Sequence, residues 1–191
     1  MSSTSAPFGL RPAFHPSGLD RAQALAGGIV SGYTSDILKG QPVKYVTSGT
    51  IQPAAAGDAF VGAFDGVEWT DTTGRRRVSN YWPANTAYQT GSCVAYFYAD
   101  QNIVYEIQAD GTLAQTSIGD EADLSNTTAG SNVTGLSQCT ISTTLAGAGN
   151  TAQMRILDLA PYTDNAWGDS YVVVRANISK YQFAPVAGTA V

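Results

Sequence analysis

From residue 41 onward, apolar and polar side chains alternate in short runs broken by turn residues. Gln41-Pro42-Val43-Lys44-Tyr45-Val46 alternates and ends at Ser48-Gly49-Thr50. Phe60 through Phe64 is a compact apolar run, and Asp65-Gly66 predicts a bulge or tight turn before Val67-Glu68-Trp69. Asp71-Thr72-Thr73-Gly74 predicts a turn, with Arg75 to Trp82 as the return strand. Cys93 to Tyr98 reads as a strand with bulky residues on one face. Val104 to Gln108, Asp110-Gly111 and Thr112 to Gln115 read as a hairpin. Residues 119–135 are rich in Gly, Asp, Ser, Thr and Asn and predict a loop. Ala152 to Leu159 and Ser170 to Ile178 predict two late strands. Short strands at this spacing define an all-β fold, a β-sandwich or jelly-roll-like domain or a barrel.

The first thirty residues follow a different pattern. Pro7, Pro12 and Pro16 fall among Gly9 and Gly18, and proline both fixes φ and biases the residue before it to extended geometry. Phe8, Leu10 and Phe14 nevertheless alternate as apolar positions. This predicts an extended N-terminal arm over residues 1–30, followed by a single β domain over 31–191. Residues 1–20 are expected to cross onto a neighbouring subunit or a capsid protein, with Phe8, Leu10 and Phe14 as anchors and Arg11 as a polar clamp. The rival is that the arm closes one end of its own sandwich. Residues 21–30 carry a weak helical pattern, broken by Gly27-Gly28. Ser35 to Gly40 has the residues of a single helical turn.

Composition narrows the function classes. A chain of 191 residues with 43% apolar content holds a sizeable core without staples. Charged residues are 13%, against an average of roughly 25%. Lysine occurs only at Lys39, Lys44 and Lys180. Interface cores are depleted in charge, so this surface suits a protein covered by partners. The net charge of −5 argues against a nucleic-acid partner and against docking to an anionic membrane. Met1 to Leu10 has no apolar run of the signal-peptide type, so cytoplasmic synthesis is expected. Cys93 and Cys139 match no zinc spacing and read as free, buried thiols.

Few residues suggest chemistry. His15, the only histidine, lies in a Pro-flanked extended segment, a poor scaffold for Ser/His/Asp catalysis. Asp120, Glu121 and Asp123 lack the spacing of a calcium loop and read as a solvated turn. Arg75-Arg76-Arg77 cannot form one patch on a strand, because alternate side chains face opposite ways; ion pairs with acidic neighbours are expected. The sequons at Asn126, Asn132 and Asn177 are expected to be coincidental. Tyr81, Trp82 and Trp167 stand beside turns, where bulky aromatics serve as interface anchors, sugar platforms or core packing. No catalytic group, cofactor or metal is expected.

Several segments carry a resemblance. They are Phe8-Gly9-Leu10-Arg11-Pro12 with His15-Pro16-Ser17-Gly18; Gly62 to Phe64 with Gly66 to Asp71; Tyr81-Trp82-Pro83; Ile107 to Gly111; Ile118-Gly119-Asp120 with Ala122-Asp123; and Asp164 to Asp169. As an ordered set they resemble a family of tailed-bacteriophage head proteins encoded near the major capsid gene. The Arg75-Arg76-Arg77 run departs from that family's pattern. The resemblance implies a structural virion protein, not an enzyme: a capsid cement or decoration protein on the capsid exterior. It implies β-sandwich or jelly-roll domains that form homotrimers or homodimers on the major capsid protein. Interface candidates are Phe8, Leu10, Arg11, Phe14, His15, Tyr81, Trp82 and Trp167. The alternative is a carbohydrate-binding or host-adhesion β-module of the virion.

Overall fold

A computed structural model describes residues 2–18, 23–26, 28–147 and 149–184. Two antiparallel sheets pack in a sandwich-like arrangement, and the described residues contain no α-helix. The first sheet runs in the order β1 (Arg11–Phe14), β8 (Val104–Gln108), β14 (Val173–Ile178), β13 (Met154–Leu159), β9 (Glu121–Ser125) and β12 (Thr140–Leu145). The second runs β2 (Gln23–Ala26), β7 (Val94–Tyr98), β5 (Gly62–Thr70), β3 (Pro42–Tyr45) and β4 (Ile51–Pro53). β6 (Arg76–Ser79) pairs with the far half of β5, and a small hairpin joins β10 (Gly130–Ser131) to β11 (Leu136–Ser137). No helix among the described residues is long and apolar enough to cross a membrane.

Alternation along each strand divides the interior into two cores. Tyr105, Ile107, Val174, Ala176, Met154, Ile156 and Leu124 point from the first sheet into one cluster, which Phe60 and Ala63 join from the second. Phe64, Val67, Trp69, Ala95 and Phe97 form another cluster, which Ile29, Ile37 and Trp82 help to fill. Ala63 and Phe64 are consecutive in β5 and so serve opposite faces. Cys139 belongs to the first cluster and Cys93 to the second; both thiols are buried and free. The register of β5 against β7 shifts between Phe64 and Gly66, so the expected feature at Asp65-Gly66 is a bulge inside one long strand. Gly62 is required by close approach: a Cβ there would lie 1.6 Å from the Tyr98 carbonyl oxygen.

Four expectations are corrected. First, the described residues of the segment 1–30 are extended but do not stand apart as an arm. β1 pairs with β8 and β2 pairs with β7, so the segment supplies an edge strand to each sheet. Leu10 is 1% exposed in the first core, and its N–H donates to the Gly40 carbonyl at 2.8 Å. The prolines that keep the segment extended also suit it to an edge, where a missing N–H breaks no ladder. The weak helical pattern at 21–30 gives strand β2 over residues 23–26; residues 19–22 and 27 lie outside the described ones.

Second, Ser35 to Gly40 forms no helical turn. Ile37 and Trp82 exchange both backbone hydrogen bonds, and the buried Gln41 side chain accepts from the Leu38 N–H. Third, Asp110-Gly111 makes no hairpin. β8 pairs with β1 and β14, and Asp110 N–H donates to the Ile141 carbonyl at 3.0 Å. A 3₁₀ turn, Gln115–Ser117, follows. Fourth, residues 119–135 include strand β9, whose Ala122 and Leu124 are core residues.

Leu10→Ala is expected to lower the unfolding free energy by about 2–5 kcal/mol in urea titration, as for other buried leucines. Removal of residues 2–18 should abolish the cooperative transition, because β1 and Leu10 belong to the domain. An unchanged transition in either variant would mean that the N-terminal strand is dispensable.

Candidate functional site

β8 is buried along its whole length. Tyr105 and Ile107 face the core, so Val104, Glu106 and Gln108 face outward and need a cover. The N-terminal segment supplies it. Gln108 Oε1 accepts from the Ala6 N–H at 2.8 Å, and its Nε2 donates to the Thr4 and Tyr171 carbonyls. Glu106 Oε2 accepts from Arg11 Nη2 at 2.7 Å and from the Tyr162 hydroxyl, and Arg175 Nε lies 3.6 Å from Oε1. The Arg11 guanidinium sits 4.5 Å from the Phe8 ring centroid, and that of Arg175 sits 5.4 Å from Phe14. Burial pushes the Glu106 pKa up, but hydrogen bonds from Tyr162 and Arg11 and the charges of Arg11 and Arg175 outweigh it, so the value is lowered. Burial and the bond to Glu106 raise Tyr162.

Beside this node β1 leaves a mostly apolar cleft of about 250 Å³. Phe8, Pro12, Tyr98 and Leu136 line it, with Leu10 and Phe64 also contributing; Arg11 and the Lys39–Asp65 ion pair complete the lining. Leu136 is 44% exposed. It belongs to the β10–β11 hairpin, whose turn carries Val133 at 91% exposure. Asn80 Nδ2 donates to the Thr134 carbonyl, tying that turn to the end of β6, where Val78 is 74% exposed. Among the described residues β6 pairs only with β5 and leaves an open strand edge. The cleft, the hairpin and β6 thus place exposed apolar groups on adjoining elements.

The structure brings Phe8, Leu10 and Arg11 together at this cleft. Phe14 is 44% exposed farther along β1. Leu10 is a core residue, not an interface anchor, and so is Trp82, fully buried with ring contacts to Trp69 and Tyr88. Tyr81 is half-buried near β6, and Trp167 packs half-buried against the first core, away from the cleft. The sequence reading missed Val78, Val133 and Leu136. One signal was present: Val133 is a β-branched apolar residue in an otherwise polar turn.

His15 Nδ1 lies 2.6 Å from Ser17 Oγ and 3.0 Å from the Ser17 N–H, and Nε2 lies 3.2 Å from Asp100 Oδ2. The serine stands two residues along the same turn and caps the ring through both its N–H and its hydroxyl. Arg76 pairs with Glu68, and Arg77 with Asp71 at 2.9 Å, on opposite faces of β6. Glu121 and Asp123 are corrected from a solvated turn to strand β9, while Asp120 stands exposed just before it. Glu121 is buried, bonded to Arg155, Ser179 and the Ala152 N–H, and Asp123 accepts from the Gln153 N–H. Among the described residues, no group of three or more His, Cys, Asp or Glu could hold a metal ion.

Comparison with family models, curated proteins and solved structures finds no match. The fold and site define a β-sandwich-like protein with an apolar cleft at the edge of its N-terminal strand.

Glu106→Ala is expected to cost about 1–3 kcal/mol at neutral pH, because the Tyr162 hydroxyl and Arg11 lose their acceptor and Arg175 its counter-charge. Burial raises Glu121, but bonds from Ser179, Ala152 and Arg155 outweigh it, so its pKa is also lowered. In acid the unfolded chain then binds more protons than the folded one. The contribution of both glutamates is complete above the unfolded value of about 4.3 and is lost as pH falls through the folded values. Urea titrations from neutral to acidic pH should show stability falling in that window, with a shallower fall in Glu106→Ala.

Burial raises the Cys93 and Cys139 thiols to about 11 and about 12. A thiol-reactive disulfide reagent should label neither in the native protein and both on unfolding without reductant.

Proposed function

We propose that this chain is a structural protein of a bacteriophage virion, a cement or decoration protein that binds the major capsid protein and stabilises the head. The observation that carries the reading is the set of exposed apolar residues beside the cleft, Leu136, Val133 and Val78, on adjoining elements that end on an open strand edge. Exposed apolar edges invite pairing with other chains unless they are covered. On a surface this poor in charge, such a set suits a partner that desolvates it. The resemblance of the ordered segments above supplies the partner, and a homotrimer or homodimer is the form it implies.

The mechanism is mechanical. A specific interface buries about 1,600 Å² in total, and repetition over symmetry-related junctions resists internal pressure. The N-terminal segment serves by shaping one wall of the cleft with Phe8 and Pro12, not by crossing to a neighbour.

Heads assembled without this chain provide the test. Purified protein should co-sediment with them, and Val133→Asp combined with Leu136→Asp should weaken retention at least tenfold while the urea transition stays unchanged. Light scattering of the free protein should give a multiple of 19.9 kDa. Wild-type protein that remains in the supernatant at micromolar concentration would overturn the reading.

A further inference from the structure

A second, larger cavity shares the β10–β11 hairpin with the cleft. It measures about 570 Å³ and is walled by residues 33–41, 53–55 and 128–132. Small-molecule sites commonly span about 300–1,000 Å³. Its floor is fixed before any ligand arrives. Gln41, 2% exposed, accepts from the Leu38 N–H at 2.8 Å and donates Nε2 to the Thr127 carbonyl at 2.8 Å. One buried side chain therefore ties two of the three walls together. Asp36 Oδ1 accepts from the Ala84 N–H at 2.7 Å and anchors the first wall to the turn after Trp82.

The chemistry of the lining selects a ligand. Tyr33 supplies one aromatic ring, with the Ser35 hydroxyl in hydrogen-bonding contact with it. Thr128 and Asn132 bring a hydroxyl and an amide that find no side-chain partner among the described residues, and Ser131 adds a second hydroxyl. Asp36 is the only ionisable carboxylate of the lining, and no lysine or arginine accompanies it. An anionic ligand would meet Asp36 with nothing to offset the repulsion. A wholly apolar ligand would leave the hydroxyls and amide desolvated and unpaired, which is costly. A neutral polyol with one apolar ring face satisfies both demands: its hydroxyls donate to Asp36 Oδ2 and Asn132 Oδ1, and accept from Thr128 and the Asn132 amide. We propose that the cavity between residues 33–41, 53–55 and 128–132 binds a neutral sugar. The site shares the β10–β11 hairpin with the surface assigned to the capsid, but sugar binding by the free chain and retention on heads are read separately, so either assignment can fail alone.

The full chain is tested by saturation-transfer NMR against neutral hexoses, 6-deoxyhexoses and N-acetylhexosamines, with glucuronate and sialic acid as anionic comparators. At least one neutral sugar should bind, more tightly than either acid. Its amide shift changes should fall on Ala55, Gly130 and Ser131. Asn132→Ala should weaken binding roughly fivefold, the size of one neutral hydrogen bond, and Thr128→Trp, which fills the cavity, should abolish it. Both residues are exposed, and near-UV circular dichroism checks that each variant is folded. The proposal is overturned if no neutral sugar binds at millimolar concentration, if the wild-type shift changes fall elsewhere, or if both folded variants bind as well as wild type.

Discussion

The structure depends on one requirement: β8 is buried on both faces, so both must be covered. The core covers Tyr105 and Ile107. The outward row, Val104, Glu106 and Gln108, is covered by the N-terminal segment. A carboxylate in that row can stay charged only because Arg11, Tyr162 and Arg175 converge on it. With Arg11 held there, β1 falls into register beside β8, Leu10 enters the core and Phe8 and Pro12 become one wall of the cleft.

The same economy of charge runs over the rest of the surface. Lys39 pairs with Asp65, Lys44 with Asp58, Arg76 with Glu68, Arg77 with Asp71 and Arg155 with Glu121. The exposed pairs among them add little stability singly, whereas Glu121 is buried beneath Arg155. Together these contacts pair five of the basic residues with carboxylates, among them Lys39 and Arg76 on elements that adjoin Leu136, Val133 and Val78. That surface is inexpensive to desolvate against a partner, and it supports the proposed role at the capsid.

β3, β5, β7, β13 and β14 were legible in the sequence, because each is a short run rich in apolar residues and bounded by turn residues. β9 and β12 were not, because Glu121, Asp123, Ser142 and Thr143 make them resemble loop, and only their partners across the sheet reveal Ala122, Leu124 and Ile141 as core. Asp110-Gly111 misled for the same reason: the local turn signal lost to hydrogen bonds from β12 and its neighbourhood. The N-terminal segment showed its extended form through its prolines, but not its destination. Whether Leu10 meets its own core or another chain's is decided by the uncovered face of β8, which no local pattern encodes. At the cleft, Phe8 and Arg11 were legible as apolar and basic residues among prolines. Val78, Val133 and Leu136 were not, since exposure is a property of the folded surface.

The most direct test of the central claim is a cryo-electron microscopy map of the intact head carrying this chain. The predicted result is density for the β-sandwich on the outer shell, with the cleft, Leu136 and Val133 turned toward the major capsid protein and β1 retained in its own sheet. Heads that carry no copy of the chain, or copies whose cleft and hairpin face solvent, would contradict it.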